Sequence, residues 1–118
     1  MVEILINPVP KPRQTRSDTW KKRPCVIRYR DFADKIRARC EEVNFKLPKI
    51  VVIKFYIAMP KSWSKKSKAM MNGNWHQQKP DIDNLIKSVL DALCEDDSFV
   101  CHVTALKKWA MNGKLVIY

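Results

Sequence analysis

The segment Lys49 to Met59, which reads Lys-Ile-Val-Val-Ile-Lys-Phe-Tyr-Ile-Ala-Met and stops at Pro60, constrains the fold more than any other. β-Branched and aromatic side chains lose rotamer freedom in a helix and fit a pleated surface, so this run is expected to be a long, largely buried strand. Upstream, Val2 to Ile6 reads as a short strand that the prolines of Pro8-Val9-Pro10-Lys11-Pro12 prevent from continuing as a central one. Between the two, Tyr29, Phe32, Ala33, Ile36, Cys40 and Val43 recur at helical spacing, with Arg30, Asp34, Arg37 and Glu41 on other faces. An amphipathic helix over Arg28 to Val43 follows, broken by Lys46-Leu47-Pro48. Its length permits a crossover and therefore parallel pairing of the first two strands.

After Pro80 a second helix is expected from about Asp83 to Leu93, burying Ile82, Leu85, Ile86, Val89, Leu90 and Leu93. Ser98 to Trp109 reads as a strand, Asn112-Gly113 as a tight hairpin turn, and Leu115 to Tyr118 as the closing strand. The expected architecture is α+β, one domain over residues 1–118. Two helices pack on a small mixed β-sheet in the order β-α-β-α-β-β.

Lys and Arg outnumber Asp and Glu 23 to 12, giving a formal charge of +11. Such an excess suits a polyanion, because phosphate neutralisation supplies most sequence-independent affinity for nucleic acid. A merely basic soluble protein has the same balance. No apolar run approaches the ~20 residues needed to cross a bilayer, and Met1 to Ile6 is too short for a secretory core. Cys25, Cys40, Cys94 and Cys101 show no Cys-x-x-Cys spacing, so zinc is not expected and free thiols in a reducing cytoplasm are.

Two basic stretches lack apolar periodicity. Lys11, Arg13, Arg16, Lys21, Lys22 and Arg23 lie in an arm with Trp20 and a single acid, Asp18. Residues 61–79 read as a long structureless loop with Lys61, Lys65, Lys66, Lys68 and Lys79, together with Trp63, Trp75 and His76. Both suit phosphate contact and base stacking; a solvated loop fits them equally. The tryptophans read as stacking platforms or as anchors to the core, and His76 as a surface histidine.

Against this background six of the twelve acids fall in one window: Asp81, Asp83, Asp91, Glu95, Asp96 and Asp97. Proline disfavours a helical residue before it, so the chain enters this window extended at Lys79. If Asp81 to Asp83 stays extended, the two carboxylates share a face and can converge on one ion. Asp83 would otherwise serve as a helix cap. Asp83, Lys87 and Asp91, spaced by four, form one polar stripe, which as an ordinary ion-pair ladder is worth about 0.3 to 0.5 kcal/mol per pair. Glu95, Asp96 and Asp97 fall past the helix C-terminus, where the backbone dipole disfavours anions. Clustered carboxylates raise one another's pKa values unless a cation is present, and all-oxygen ligands select Mg²⁺ or Mn²⁺. With the basic arm and loop, the pattern points to metal-assisted phosphodiester cleavage in which Lys87 stabilises charge developing on the phosphate.

The run Lys79-Pro80-Asp81-Ile82-Asp83-Asn84-Leu85 with Lys87, then Asp91-Ala92-Leu93, then Asp96-Asp97 and a strand ending in Lys107, resembles the RusA family of Holliday junction resolvases. The resemblance covers residues 79–108 closely and most of the chain more loosely. It implies a Mg²⁺-dependent homodimer that binds branched DNA, a four-way junction, and nicks two opposed strands. Asp81, Asp83 and Asp97 would hold the ion and Lys87 would be the catalytic lysine. Lys107 would join Lys11, Arg13, Arg16, Lys21, Lys22, Arg23, Lys65, Lys66 and Lys79 on the nucleic acid. Pro80 stands where some members carry arginine, and the loop before the motif is longer than in compact members. A non-catalytic nucleic-acid-binding module and a nuclease acting on flaps or other branches are the competing readings.

Overall fold

The computed structural model describes residues 1–12 and 23–118. Arg13, Arg16, Lys21 and Lys22 of the basic arm lie outside the described residues. The elements are β1 (Val2–Ile4), α1 (Pro24–Glu42), β2 (Ile50–Ala58), α2 (Lys65–Met71), α3 (Ile82–Leu93), β3 (His102–Ala110) and β4 (Lys114–Ile117). The α+β class and the mixed sheet are as expected. The helix count is not: α2 interrupts the stretch expected to be structureless. Ser64 caps it by accepting a hydrogen bond from the Ser67 N–H at 3.1 Å. None of its residues is buried, so it has no apolar stripe by which periodicity could reveal it.

The sheet order is β1-β4-β2-β3. β2 and β3 pair in parallel along their whole length, from Ile50 opposite His102 to Ala58 opposite Ala110. β4 is antiparallel to β2 on its other side and to β1. Two expectations therefore change. β1 and β2 run in the same direction but with β4 between them, and β3 and β4 form no hairpin because β2 separates them. Gly113 serves another purpose, since a Cβ placed on it would lie 2.3 Å from Asn7 Cα. The chain crossing from β3 to β4 passes directly against Asn7, whose Oδ1 accepts from the Ala58 N–H at 2.9 Å.

Strict alternation along β2 separates the sheet into two faces. Val51, Ile53, Phe55 and Ile57 are buried, and the residues between them are only partly so. Register places Leu115 and Ile117 of β4 beside Phe55 and Ile53 on the buried face. Phe32, Ala33, Ile36 and Cys40 of α1 and Leu85, Val89 and Ala92 of α3 complete that core. Each large side chain among them contributes about 1.5–3 kcal/mol by leaving water. α1 begins with Pro24, whose missing N–H costs nothing in the first turn, four residues earlier than periodicity placed it. It ends at Glu42, with Asn44 just beyond in the left-handed region at φ 55°, before Lys46-Leu47-Pro48 is reached.

Candidate active site

The segment that carries the motif is fastened to β3 before it becomes α3. The Gly73 N–H donates to the Trp109 carbonyl at 2.9 Å, the Trp109 N–H to Asn74 at 2.9 Å, and the His76 N–H to Lys107 at 3.1 Å. Residues 73–76 thus extend the sheet edge, with Trp75 bridged to Lys108. Alternation then divides the side chains. His76 turns inward and is 3% exposed, its ring 4.1 Å from that of Trp109, which Trp63 meets on another side at 4.8 Å. Trp75 turns outward. Trp63 is therefore an anchor, Trp75 is not, and His76 is a core residue and not the surface histidine expected. Burial, and secondly the charge of Lys107, lower the His76 pKa and so favour the neutral ring.

Lys107 sits opposite Phe55, on the helix-covered face of the sheet. Its ammonium donates to the carbonyls of Gln78 at 2.5 Å and Pro80 at 2.7 Å, bracketing the cis Lys79–Pro80 peptide immediately before the motif. Lys107 is expected among the phosphate contacts; two of the three donors of its ammonium go to the loop that delivers Asp81.

Asp81 is the N-cap residue of α3, with extended backbone and no capping bond from its side chain. Asp83 is already in the first turn, one residue earlier in helix than expected, and Oδ1 accepts from the Asn84 N–H at 2.9 Å. The two carboxylates therefore do not share the face of a strand. They flank a helix start, where the dipole favours anions. Both are exposed, as is Lys87, one turn after Asp83. Among the described residues no ion pair joins Lys87 to Asp83 or Asp91, so the stripe is not an ion-pair ladder.

Asp91 is instead paired with Lys11 of the proline-rich segment. The pair is about two-thirds shielded from water, at 27% and 30% side-chain exposure. The remaining acids gather at the same end of α3. Asp96 accepts from the Ser98 N–H at 3.0 Å, and that bond, with the Ser98 hydroxyl second, lowers its pKa. Asp97 precedes a turn closed by the Val100 N–H on its carbonyl at 2.9 Å, so β3 opens later than Ser98. Cys94 records their proximity: burial first, then Asp97, Asp91 and Asp96, raise its thiol pKa. A cavity of about 600 Å³ opens here between α1 and the end of α3, lined by Arg37, Cys40, Asp91, Cys94 and Phe99 among others.

α3, with 12 residues, is about 18 Å long. Asp81 and Asp83 occupy one end and Asp97, with Asp91 and Asp96, the other. Among the described residues no three His, Cys, Asp or Glu side chains stand together as a group able to hold a metal ion. The pair at the helix start suits Mg²⁺, which commonly takes one or two carboxylates and completes its shell with water and substrate phosphates. Of the expected phosphate contacts, Lys65, Lys66 and Lys79 are exposed, while Lys11 is tied to Asp91 and Arg23 is the N-cap residue of α1.

The family model described as Endodeoxyribonuclease RusA matches residues 6–118. The chain belongs to the RusA family. No curated protein and no solved structure matches it. The family is one of Holliday junction resolvases, endodeoxyribonucleases that act on branched DNA, in accord with the resemblance of residues 79–108. No helix among the described residues is long and apolar enough to cross a membrane.

Proposed function

We propose that this RusA-family chain is a Mg²⁺-dependent cytoplasmic enzyme that resolves four-way DNA junctions as a homodimer, nicking two opposed strands. The observation that carries this reading is the exposed pair Asp81 and Asp83 at the start of α3, with Lys87 one turn on. What the ion supplies when bound is activation of water for attack at phosphorus and neutralisation of charge on the scissile phosphate; Mn²⁺ is a chemically suitable substitute. Asp81 and Asp83 would hold it. Lys87 would meet the negative charge that builds on the phosphate oxygens as the bond breaks. The phosphate backbone would be gripped by the basic arm and by Lys65, Lys66 and Lys79.

Asp97 is assigned to the same reaction by the motif, although Asp91 and Asp96 are its neighbours in the single chain. Its substitution is therefore the sharper test. Purified protein is incubated with a synthetic four-way junction, a flap and a plain duplex, each with Mg²⁺, Mn²⁺ or EDTA. Paired, metal-dependent nicks on the junction are expected, and Asp83→Asn should abolish them while junction binding in EDTA persists. Asp97→Asn should fail to the same degree if Asp97 is a ligand, and retain most turnover if two carboxylates suffice. Absence of metal-dependent nicks from the wild-type chain would sink the enzymatic reading, and preference for the flap would sink junction resolution.

A further inference from the structure

The sheet face opposite the helices carries an ordered row of cations and aromatic rings. Register sets Lys114 of β4 beside Tyr56 of β2, Tyr56 beside Lys108 of β3, and Lys108 beside Trp75 at the added edge. Directly paired residues project from the same face, and neighbouring strands lie about 4.8 Å apart. The row therefore alternates Lys, Tyr, Lys, Trp across the sheet. The Lys114 ammonium lies over the Tyr56 ring at 4.9 Å and that of Lys108 over Trp75 at 4.6 Å. Lys54 lies on the same face, over the Tyr118 ring at 5.3 Å.

Three observations separate this arrangement from a solvated surface. Trp75 is 59% exposed and Tyr118 43% exposed, although main-chain bonds on both sides of Trp75 fix its position. The indole is thus presented to solvent from a fixed backbone and not packed into the core, unlike Trp63, Trp109 and His76 beside it. Its neighbourhood is cationic, because residues 60–80 contain Lys61, Lys65, Lys66, Lys68 and Lys79 and no acid. Among the described residues the acid that pairs with this face is Glu3 of β1, 4.0 Å from Lys114 at the far margin.

We propose that this face is a binding surface for single-stranded DNA, with an unpaired base stacked on Trp75, further stacking on Tyr56 and Tyr118, and phosphates met by Lys54, Lys108 and Lys114. Interleaved rings and cations are what an unpaired strand requires, since every base offers a π-face and every linkage a charge. A cation over one face of the indole leaves the other for a base. The surface rests on the reading of the chain as a DNA enzyme and extends it: unpaired nucleotides, such as those freed where strands exchange, would be held apart from the carboxylates that cut.

The test is binding of a fluorescent oligothymidine of ~16 nucleotides, with an equal-length duplex as control, followed by anisotropy in EDTA across a salt series. Wild-type protein should bind the single strand, and Trp75→Ala should weaken that binding about tenfold with duplex binding within twofold, as expected for loss of one stacked base. Lys108→Gln with Lys114→Gln should lower the slope of log K against log salt by about 1.4, at about 0.7 per phosphate contact. The salt-slope experiment stands even if Trp75→Ala unfolds. Wild-type protein that ignores the oligonucleotide, equal losses on both DNAs in Trp75→Ala, or an unchanged salt slope in the double variant would overturn the proposal. Because no cleavage is involved, a chain that binds the strand but cuts no junction refutes the nuclease reading and leaves this one standing.

Discussion

Lys107→Met tests whether the ammonium positions the motif or holds DNA. The substitution keeps an unbranched apolar stem in the place opposite Phe55 and removes the donors to Gln78 and Pro80. A net hydrogen bond from a charged donor contributes about 1.5–3 kcal/mol when shielded and less when water can replace it. The Pro80 contact is partly buried and the Gln78 contact exposed, so about 2 kcal/mol in total is expected, read as a lowered urea midpoint. The larger effect should be on turnover. Asp81 directly follows the clamped Pro80 carbonyl, and a shift of ~1 Å in a catalytic group can cost about 100-fold. At saturating junction and Mg²⁺, the turnover number should fall by that order while junction affinity in EDTA changes less than about threefold, since no phosphate contact has been lost. Unchanged turnover with a salt slope lower by about 0.9, the signature of one lost duplex phosphate contact, would refute the clamp.

Further outcomes follow from other contacts. Asp91→Ala should cost about 1–2 kcal/mol in chemical denaturation, between the values for exposed and buried pairs, and the charge swap Asp91→Lys with Lys11→Asp should recover part of it; no recovery would mean that the pair has no coupling. His76 is held below its usual pKa of 6.5, so under that pH the unfolded chain binds a proton that the folded chain does not. Stability should therefore fall as pH drops through 6.5 toward the folded value. His76→Phe should flatten this part of a melting-temperature profile; an unaltered slope would assign it to another group. Gly113→Ala should destabilise by about 3 kcal/mol or more, because its Cβ meets Asn7 backbone that cannot rotate away, and a melt within a degree or two of wild type would refute that close approach.

What sequence made legible was local. The alternating run of β2 and the apolar stripes of α1 and α3 announce themselves because burial follows a fixed period in each. Sheet order does not, because it depends on which distant strand occupies each side of β2. Asn112-Gly113 misled for a specific reason: the dipeptide signals a left-handed turn, but Gly113 is needed for its missing side chain against Asn7. Likewise, Lys107 looks like any other lysine until register places it on the helix-covered face, and His76 and Trp75 differ only by the alternation that an added edge strand imposes. For His76 the signal in the sequence is its place next to Trp75, in a segment whose side chains alternate with period two.

The acidic window divides according to what each end of α3 tolerates. At the start, unpaired N–H groups favour Asp81 and Asp83 by about 0.3–1 kcal/mol each, so two exposed carboxylates can stand together without a lysine between them. At the other end the dipole opposes anions, and the chain compensates from outside the helix: Lys11 pairs with Asp91, the Ser98 N–H binds Asp96, and Arg37 Nε donates to the Ala92 carbonyl at 2.7 Å. Those are devices for retaining charge within a fold, and they account for Asp91 and Asp96 without any ion. Glu95 and Asp97 are different, because among the described residues neither carboxylate has a hydrogen-bond or ion-pair partner. A carboxylate retained at an unfavourable helix end without compensation costs stability, and the proposed role of Asp97 beside Asp81 and Asp83 on the ion would give that cost a reason that Asp91 and Asp96 do not need.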